Sequence, residues 1–115
     1  MTSQINDIRS GTTYKLRGSS PLYITINHDE AGVPLEVFIN TTPSGTTVRA
    51  LCEALGRVIS IAIQHDTSLL AKITRTIRGI MSESNWMLGK QQINSIPDGV
   101  AVVMDLEVEK NGSAK

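Results

Sequence analysis

Disulfide-forming cysteines, strong net charge and long apolar runs are all missing from this sequence of 115 residues. The single cysteine, Cys52, cannot close an internal disulfide, which excludes a small scaffold held together by disulfides. Eleven basic and eleven acidic residues give a formal net charge of zero, unlike a protein that binds duplex nucleic acid or a charged membrane surface. Neither an apolar signal segment in residues 1–10 nor a window of roughly 18 apolar residues is present. We therefore expect a cytoplasmic protein with no nucleic-acid partner and no membrane partner.

The composition is that of one small folded domain. Apolar residues make up 40% of the chain, which is enough to form a core. Both ends are polar, so we expect a flexible arm over residues 1–11, a single domain over residues 12–110 and a flexible tail over residues 111–115. Because a neutral chain opposes self-association only weakly, a homodimer is a candidate state.

Two segments alternate apolar and polar residues with the period of a β-strand. In residues 22–27 and 35–40 every second side chain is aliphatic, which predicts one aliphatic face and one polar face. The short connection between them favours a hairpin, and residues 12–16 predict a third strand. The polar face carries Tyr23, Thr25, Asn27, Glu36, Phe38 and Asn40. Since the Phe38 ring is apolar, we expect another chain or the C-terminal segment to cover it.

Helical spacing dominates the second half of the chain. A helix capped by Thr46 or Thr47 has its apolar residues at steps of three and four, which predicts one continuous buried stripe. The stripe consists of Val48, Leu51, Cys52, Leu55, Val58, Ile59, Ala62 and Ile63. A second helix is expected over residues 68–78, ended by Gly79, and residues 80–94 look irregular.

The segment after Ser95 fits two structures. Pro97 suits the first turn of a helix, and Val100, Val103, Met104 and Glu107 have helical spacing. Residues 104–109 also alternate as a strand would, although the local pattern favours the helix. Together the elements predict an α+β fold, in which a three-stranded antiparallel sheet has two or three helices packed on its aliphatic face.

Sites for chemistry are weakly indicated. The loop Ser44, Gly45, Thr46 and Thr47 precedes a helix, whose free backbone N–H groups could hold an anion. An ordinary capped loop is the favoured interpretation, because any helix start has such groups. Cys52 lies in the apolar stripe and is expected to be buried and unreactive. His28, Asp29 and Glu30 are expected to form a solvated loop, because zinc usually requires four well-spaced ligands. No nucleophile-and-base motif is present, so we expect no catalytic residue, no metal and no cofactor.

Five segments taken together resemble one family. They are residues 13–16, 22–27, 34–40, 53–60 and 94–98, and the likeness runs from about residue 12 to residue 104. The set resembles the TSCPD domain, which occurs at the C-terminal end of adenosylcobalamin-dependent (class II) ribonucleotide reductases and in small stand-alone proteins. The family's Thr-Ser-Cys-Pro-Asp signature aligns with residues 94–98, where Ile96 replaces the cysteine. Any metal or redox role of that cysteine is therefore not implied here.

The resemblance implies an accessory or regulatory module and not a reductase, because the catalytic cysteines and the cobalamin site of those enzymes belong to a separate domain. The catalytic chain of such a reductase is the implied partner. Six positions match the family pattern, and they are Glu36, Phe38, Gly56, Arg57, Pro97 and Asp98. The likeness also favours the helix after Pro97. We further expect Gly56 to let its helix approach the sheet closely, and Arg57 to pair with Glu36 or Asp98.

Overall fold

The computed structural model describes residues 10–41 and 46–113, and it confirms the predicted α+β fold. Three strands form an antiparallel sheet in the order β1-β2-β3, and they are β1 (Ser10–Leu16), β2 (Leu22–His28) and β3 (Pro34–Thr41). The helices are α1 (Thr46–His65), α2 (Leu69–Ile77) and α3 (Ile96–Ser113). A small antiparallel hairpin, formed by β4 (Trp86–Leu88) and β5 (Gln91–Ile93), precedes α3.

The register of the sheet follows from the alternating pattern. Ile24 lies opposite Ile39, and Ile26 lies opposite Val37, so the aliphatic side chains of both strands meet on one face. All four side chains are buried. Burying a large aliphatic side chain contributes about 1.5–3 kcal/mol, and a shift by one residue would move the whole set to the other face.

Helix α3 is the centre of the core. It packs against β2, against α2 and against the small hairpin. Its residues 98–104 are all buried, so this part of the helix is covered on every side and not along one stripe. The helix predicted for this segment is confirmed. It extends through Ser113, so the first three residues of the predicted flexible tail are helical, while residues 114–115 lie outside the described residues.

Helix α1 lies along β3, which is an edge strand of the sheet. Gly56 makes this approach close, because a Cβ atom at that position would lie 2.7 Å from the backbone oxygen of Val37. The Ser60 hydroxyl accepts a hydrogen bond from the Val37 N–H at 2.9 Å, and the Gln64 amide donates to the Leu35 carbonyl at 2.8 Å. Side chains of α1 therefore form hydrogen bonds with backbone groups at the edge of β3, where another strand could otherwise pair.

The predicted buried stripe of α1 is only half correct. Cys52, Ile59 and Ile63 are buried as expected. Other large members of the stripe, Val48, Leu51 and Val58, are exposed, because the helix meets the sheet through the narrow strip centred on Gly56. Apolar spacing alone could not show which side of this helix faces the core.

The expectation of irregular structure over residues 80–94 is wrong for its second half. Trp86 is buried, and its indole N–H donates to the Ser20 carbonyl at 2.8 Å. The backbones of Arg17 and Met87 exchange two hydrogen bonds of 2.8 Å, which attach the hairpin to the end of β1. Gly89, at a φ of 61°, supplies the left-handed residue in the turn between β4 and β5.

The remaining differences concern boundaries. Strand β1 begins at Ser10, two residues before the predicted strand and inside the expected arm, while residues 1–9 lie outside the described residues. Gly79, at a φ of 84°, follows α2 as predicted. Within residues 10–41 and 46–113, none of the helices combines the length and the apolarity needed to cross a bilayer.

Candidate functional site

Four of the six family-motif residues converge on one groove. Glu36 and Phe38 project from β3, and Gly56 and Arg57 belong to α1 beside it. The groove between these two elements has a volume of about 410 Å³. The sequence indicated each residue separately, but the packing of a helix along an edge strand brings them together.

One side of this groove is a row of charge on α1. Arg49, Glu53 and Arg57 follow one another at steps of four and so lie above one another on the helix, facing the groove. Arg57 forms an ion pair with Glu53, a partner that the sequence did not indicate. The expected pairing of Arg57 with Glu36 or Asp98 stays a prediction. Both partners are exposed, and such a pair contributes only about 0.3–0.5 kcal/mol. Arg57 can therefore exchange Glu53 for another acidic partner at small cost.

The opposite side of the groove continues into the outer face of the sheet. Polar side chains on this face contact one another across the strands: the Thr13 and Thr25 hydroxyls are 2.8 Å apart, and the Asn27 amide donates to Glu36 Oε1 at 3.1 Å. Phe38 is 48% exposed within this polar surface. Because α3 packs on the aliphatic face instead, the expectation that the C-terminal segment covers Phe38 is wrong. Cover by another chain stays a prediction.

The other two motif residues, Pro97 and Asp98, lie at the start of α3. The Ser95 hydroxyl accepts the Asp98 N–H at 3.0 Å, which caps the helix. The Asp98 carboxylate accepts the Gly79 N–H at 2.7 Å and the Asn94 N–H at 2.9 Å, which fastens the end of α2 to the start of α3. Asp98 is buried, and both of its carboxylate oxygens are used at this junction. Ile96, which replaces the family's cysteine, packs against the core.

Sequence reasoning missed a buried ionisable cluster, which we call the Glu107 cluster. Glu107 is fully buried, and its Oε2 accepts a hydrogen bond of 2.5 Å from the Tyr14 hydroxyl. Its Oε1 lies 2.7 Å from His28 Nε2, and Lys110 Nζ lies 3.1 Å from Oε2. The available signal was that Glu107 continues the inward-facing spacing that begins at Val100. The expected solvated loop is thus only partly correct, because His28 joins this cluster.

The environment of Glu107 changes its acidity. Burial by itself raises the pKa of the carboxyl, but hydrogen bonds from Tyr14, His28 and Lys110, with the charge of Lys110, outweigh burial and hold the pKa below its ordinary value. Burial and the bond to Glu107 raise the pKa of the Tyr14 hydroxyl well above its ordinary value. At neutral pH the cluster therefore holds an ionised Glu107 and a protonated Tyr14.

Three further features of the sequence are the anion loop, Cys52 and the possible metal ligands. Ser44 and Gly45 of the expected anion loop lie outside the described residues, as does the side chain of Thr46, while Thr47 is exposed. Cys52 is buried, and burial raises the pKa of its thiol, as an unreactive cysteine requires. Within the described ranges, no three or more His, Cys, Asp or Glu side chains are grouped so that they could hold a metal ion.

The chain belongs to the TSCPD domain family, whose family model matches residues 2–108. The match begins at residue 2, whereas the sequence predicted a domain that begins at residue 12. No curated protein and no solved structure matches the chain.

Proposed function

We propose that this TSCPD-family protein is a non-catalytic accessory or regulatory protein that acts by protein–protein contact. The proposed partner is the catalytic chain of a cobalamin-dependent ribonucleotide reductase. The observation that carries the proposal is Phe38, an aromatic ring half exposed at the edge of a polar sheet face. Aromatic side chains anchor protein interfaces because they bury a large area with little loss of conformational entropy.

The charges around Phe38 suit a contact of this kind. Arg57 and Glu53 form an exposed pair beside the groove, and Glu36 lies two residues before Phe38 on the same face. An apolar centre with a rim of mixed charge is the usual anatomy of a protein interface. Polar groups at the rim select the partner and its orientation more than they add affinity.

The Glu107 cluster supports a role without catalysis. Both carboxylate oxygens of Glu107 already receive hydrogen bonds from protein groups, and the side chain is fully buried. A general acid or base must come within hydrogen-bond reach of a substrate proton, which this carboxylate could do only after it lost those bonds. The cluster is better suited to joining the sheet to α3.

The alternative function is binding of a small molecule such as a nucleotide or another anion. The groove volume of about 410 Å³ favours this alternative, because ligand sites typically enclose about 300–1,000 Å³. Arg49 lines the groove close to the N-terminal end of α1, where the helix dipole also favours an anion.

Size-exclusion chromatography with light scattering tests the proposal, using the chain with the reductase catalytic chain from the same organism. We expect co-elution as a complex, and we expect Phe38→Ala to weaken it by about 10-fold or more, as loss of an interface anchor does. Met81→Ala is the matched control. Met81 is also an exposed apolar side chain, but it belongs to the segment after α2 and not to β3 or α1.

Three outcomes separate the alternatives. Loss of the complex in Phe38→Ala but not in Met81→Ala supports the accessory function. A complex that survives Phe38→Ala contradicts the proposed surface. Absence of any complex, together with binding of a nucleotide or phosphate that Arg49→Ala abolishes, supports the small-molecule alternative.

A further inference from the structure

Helix α1 has a second apolar face that the fold leaves in solvent. Its large side chains are Val48, Leu51, Val58 and Ile61, which are 41%, 65%, 65% and 68% exposed. The intervening positions on this side are alanines 54 and 62 and the half-buried Leu55. Buried Cys52, Gly56, Ile59 and Ile63 occupy a different side of the helix, and on the second face only Leu55 packs against the core.

The spacing on the second face is that of a helix that pairs with another helix. Residues 48, 51, 55, 58 and 62 are separated by alternating steps of three and four, which is the pattern of positions a and d in a coiled coil. The small Ala54 and Ile61 each come directly before a residue at position a, which is position g of the heptad. A groove for a small molecule or for an extended strand would not require this periodicity.

Charge is absent from the second face and concentrated on another. The acidic residues, lysines and arginines of α1 amount to Arg49, Glu53 and Arg57. All three belong to the row beside the groove. An uncharged face is complementary to itself, and the chain as a whole carries no net charge that would keep two copies apart. In an antiparallel pair, the helix dipoles also oppose each other favourably.

The exposed area is sufficient for the centre of such an interface. The four large side chains together leave on the order of 400 Å² in solvent, within the range of about 300–600 Å² for the largest apolar patch of a typical monomer. A standard interface buries about 800 Å² on each partner. The stripe would supply about half of that area, and the alanines with the charged row beside them would form the rim.

We propose that the second apolar face of α1 binds the same face of a second copy, so that the protein is a two-fold symmetric dimer joined by paired α1 helices. This inference goes beyond the proposed function, because the second face meets the groove beside Phe38 only at Ile61 and the dimer needs no reductase. A two-fold interface uses the same patch on both subunits, which suits a face that is complementary to itself.

Light scattering on the chain alone tests the dimer. We expect a mass of twice the 12.5 kDa of one chain. The double variant Leu51→Glu with Val58→Glu should weaken the dimer by roughly 100-fold or more, because it buries unpaired carboxylates at the interface. Circular dichroism should show an unchanged helix content, since both positions are exposed in the monomer.

Two further variants keep the result interpretable. Leu51→Ala with Val58→Ala preserves the helix, because alanine has the highest helix propensity, and should still weaken the dimer by about 10-fold. Met81→Glu places the same charge on an exposed apolar residue outside α1 and should leave the dimer intact. The proposal is overturned by a monomer at concentrations up to about 100 µM, or by a dimer that both α1 double variants leave unchanged. Neither result bears on the complex tested through Phe38→Ala.

Discussion

Gly56 shows how one residue sets the distance between two elements. Because glycine has no Cβ atom, α1 can approach β3 so closely that a Cβ atom at this position would lie 2.7 Å from the Val37 backbone oxygen. The obstacle is backbone and not the end of a flexible side chain, so it cannot move aside without shifting the strand or the helix. The sequence predicted this close approach from the family resemblance, and the geometry accounts for it.

We predict that Gly56→Ala destabilises the protein. At an open position in a helix the same change would stabilise by about 1 kcal/mol, because alanine has the higher helix propensity. Here we expect a loss of about 1–3 kcal/mol in the free energy of unfolding, as overpacking usually causes. Urea denaturation followed by circular dichroism measures it. Ala50→Gly, at an exposed position of α1 outside both the groove and the second apolar face, calibrates the propensity effect alone. A Gly56→Ala variant as stable as the parent would contradict the packing argument.

At the scale of elements, Asp98 joins the end of α2 to the start of α3. Its two oxygens accept backbone N–H groups from Gly79 and Asn94, on either side of the small hairpin. Without this carboxylate, two backbone donors beside a buried side chain would lose their partner. A motif residue that looked like a contact site in the sequence is therefore part of the framework.

Asp98→Asn should lower the free energy of unfolding by about 1–3 kcal/mol, because the amide nitrogen cannot accept one of those two hydrogen bonds. Thermal and urea unfolding would measure the loss. Asp105→Asn is a matched control on the same helix: Asp105 pairs with Arg78 at 2.8 Å but is partly exposed, so we expect less than about 1 kcal/mol. Equal effects of the two substitutions would show that Asp98 has no special role at the junction.

The elements differ in how far the sequence could predict them. Strands β2 and β3 alternate clearly, and their register follows from that alternation. The β4–β5 hairpin has strands of three residues each, too short for a periodic signal, although Gly89 marks its turn. Helix α1 was predicted, but both of its apolar sides fit a core, and only the packing shows which one is buried.

At the scale of the whole molecule, the Glu107 cluster ties the sheet to the central helix. Tyr14 comes from β1, His28 from β2, and Glu107 and Lys110 from α3. Tyr14 and Glu107 are separated by 93 positions in the chain. The periodicity of a short segment contains no information about contacts between residues so far apart in the chain. This part of the structure could therefore not be predicted from the sequence.

We predict that the cluster makes stability depend on pH in the acid range. Because the folded state holds the pKa of Glu107 below the ordinary value of 4.5, its contribution is present above about pH 4.5 and is lost as pH falls through the folded pKa. Glu107→Gln should be less stable than the parent by roughly 1–3 kcal/mol at pH 7, and the difference should shrink between about pH 5 and pH 3.

Urea denaturation of both proteins across this pH range gives the measurement. Glu109→Gln is the control, because Glu109 is an exposed carboxylate two residues further along the same helix. It should leave the pH dependence of unfolding nearly unchanged. Parallel stability curves for the parent and Glu107→Gln would contradict the predicted link between the cluster and acid stability.

The position of α3 at the middle of the core has a consequence for the order in which the domain can form. The aliphatic face of the sheet is synthesised early, but its cover is the last of the described elements. While a ribosome is still making residues up to 95, Ile24, Ile26 and Val37 have no α3 to pack against. The contacts that complete the core span most of the domain, so the core closes only after α3 has emerged from the exit tunnel, and until then the aliphatic face of the sheet lacks its cover.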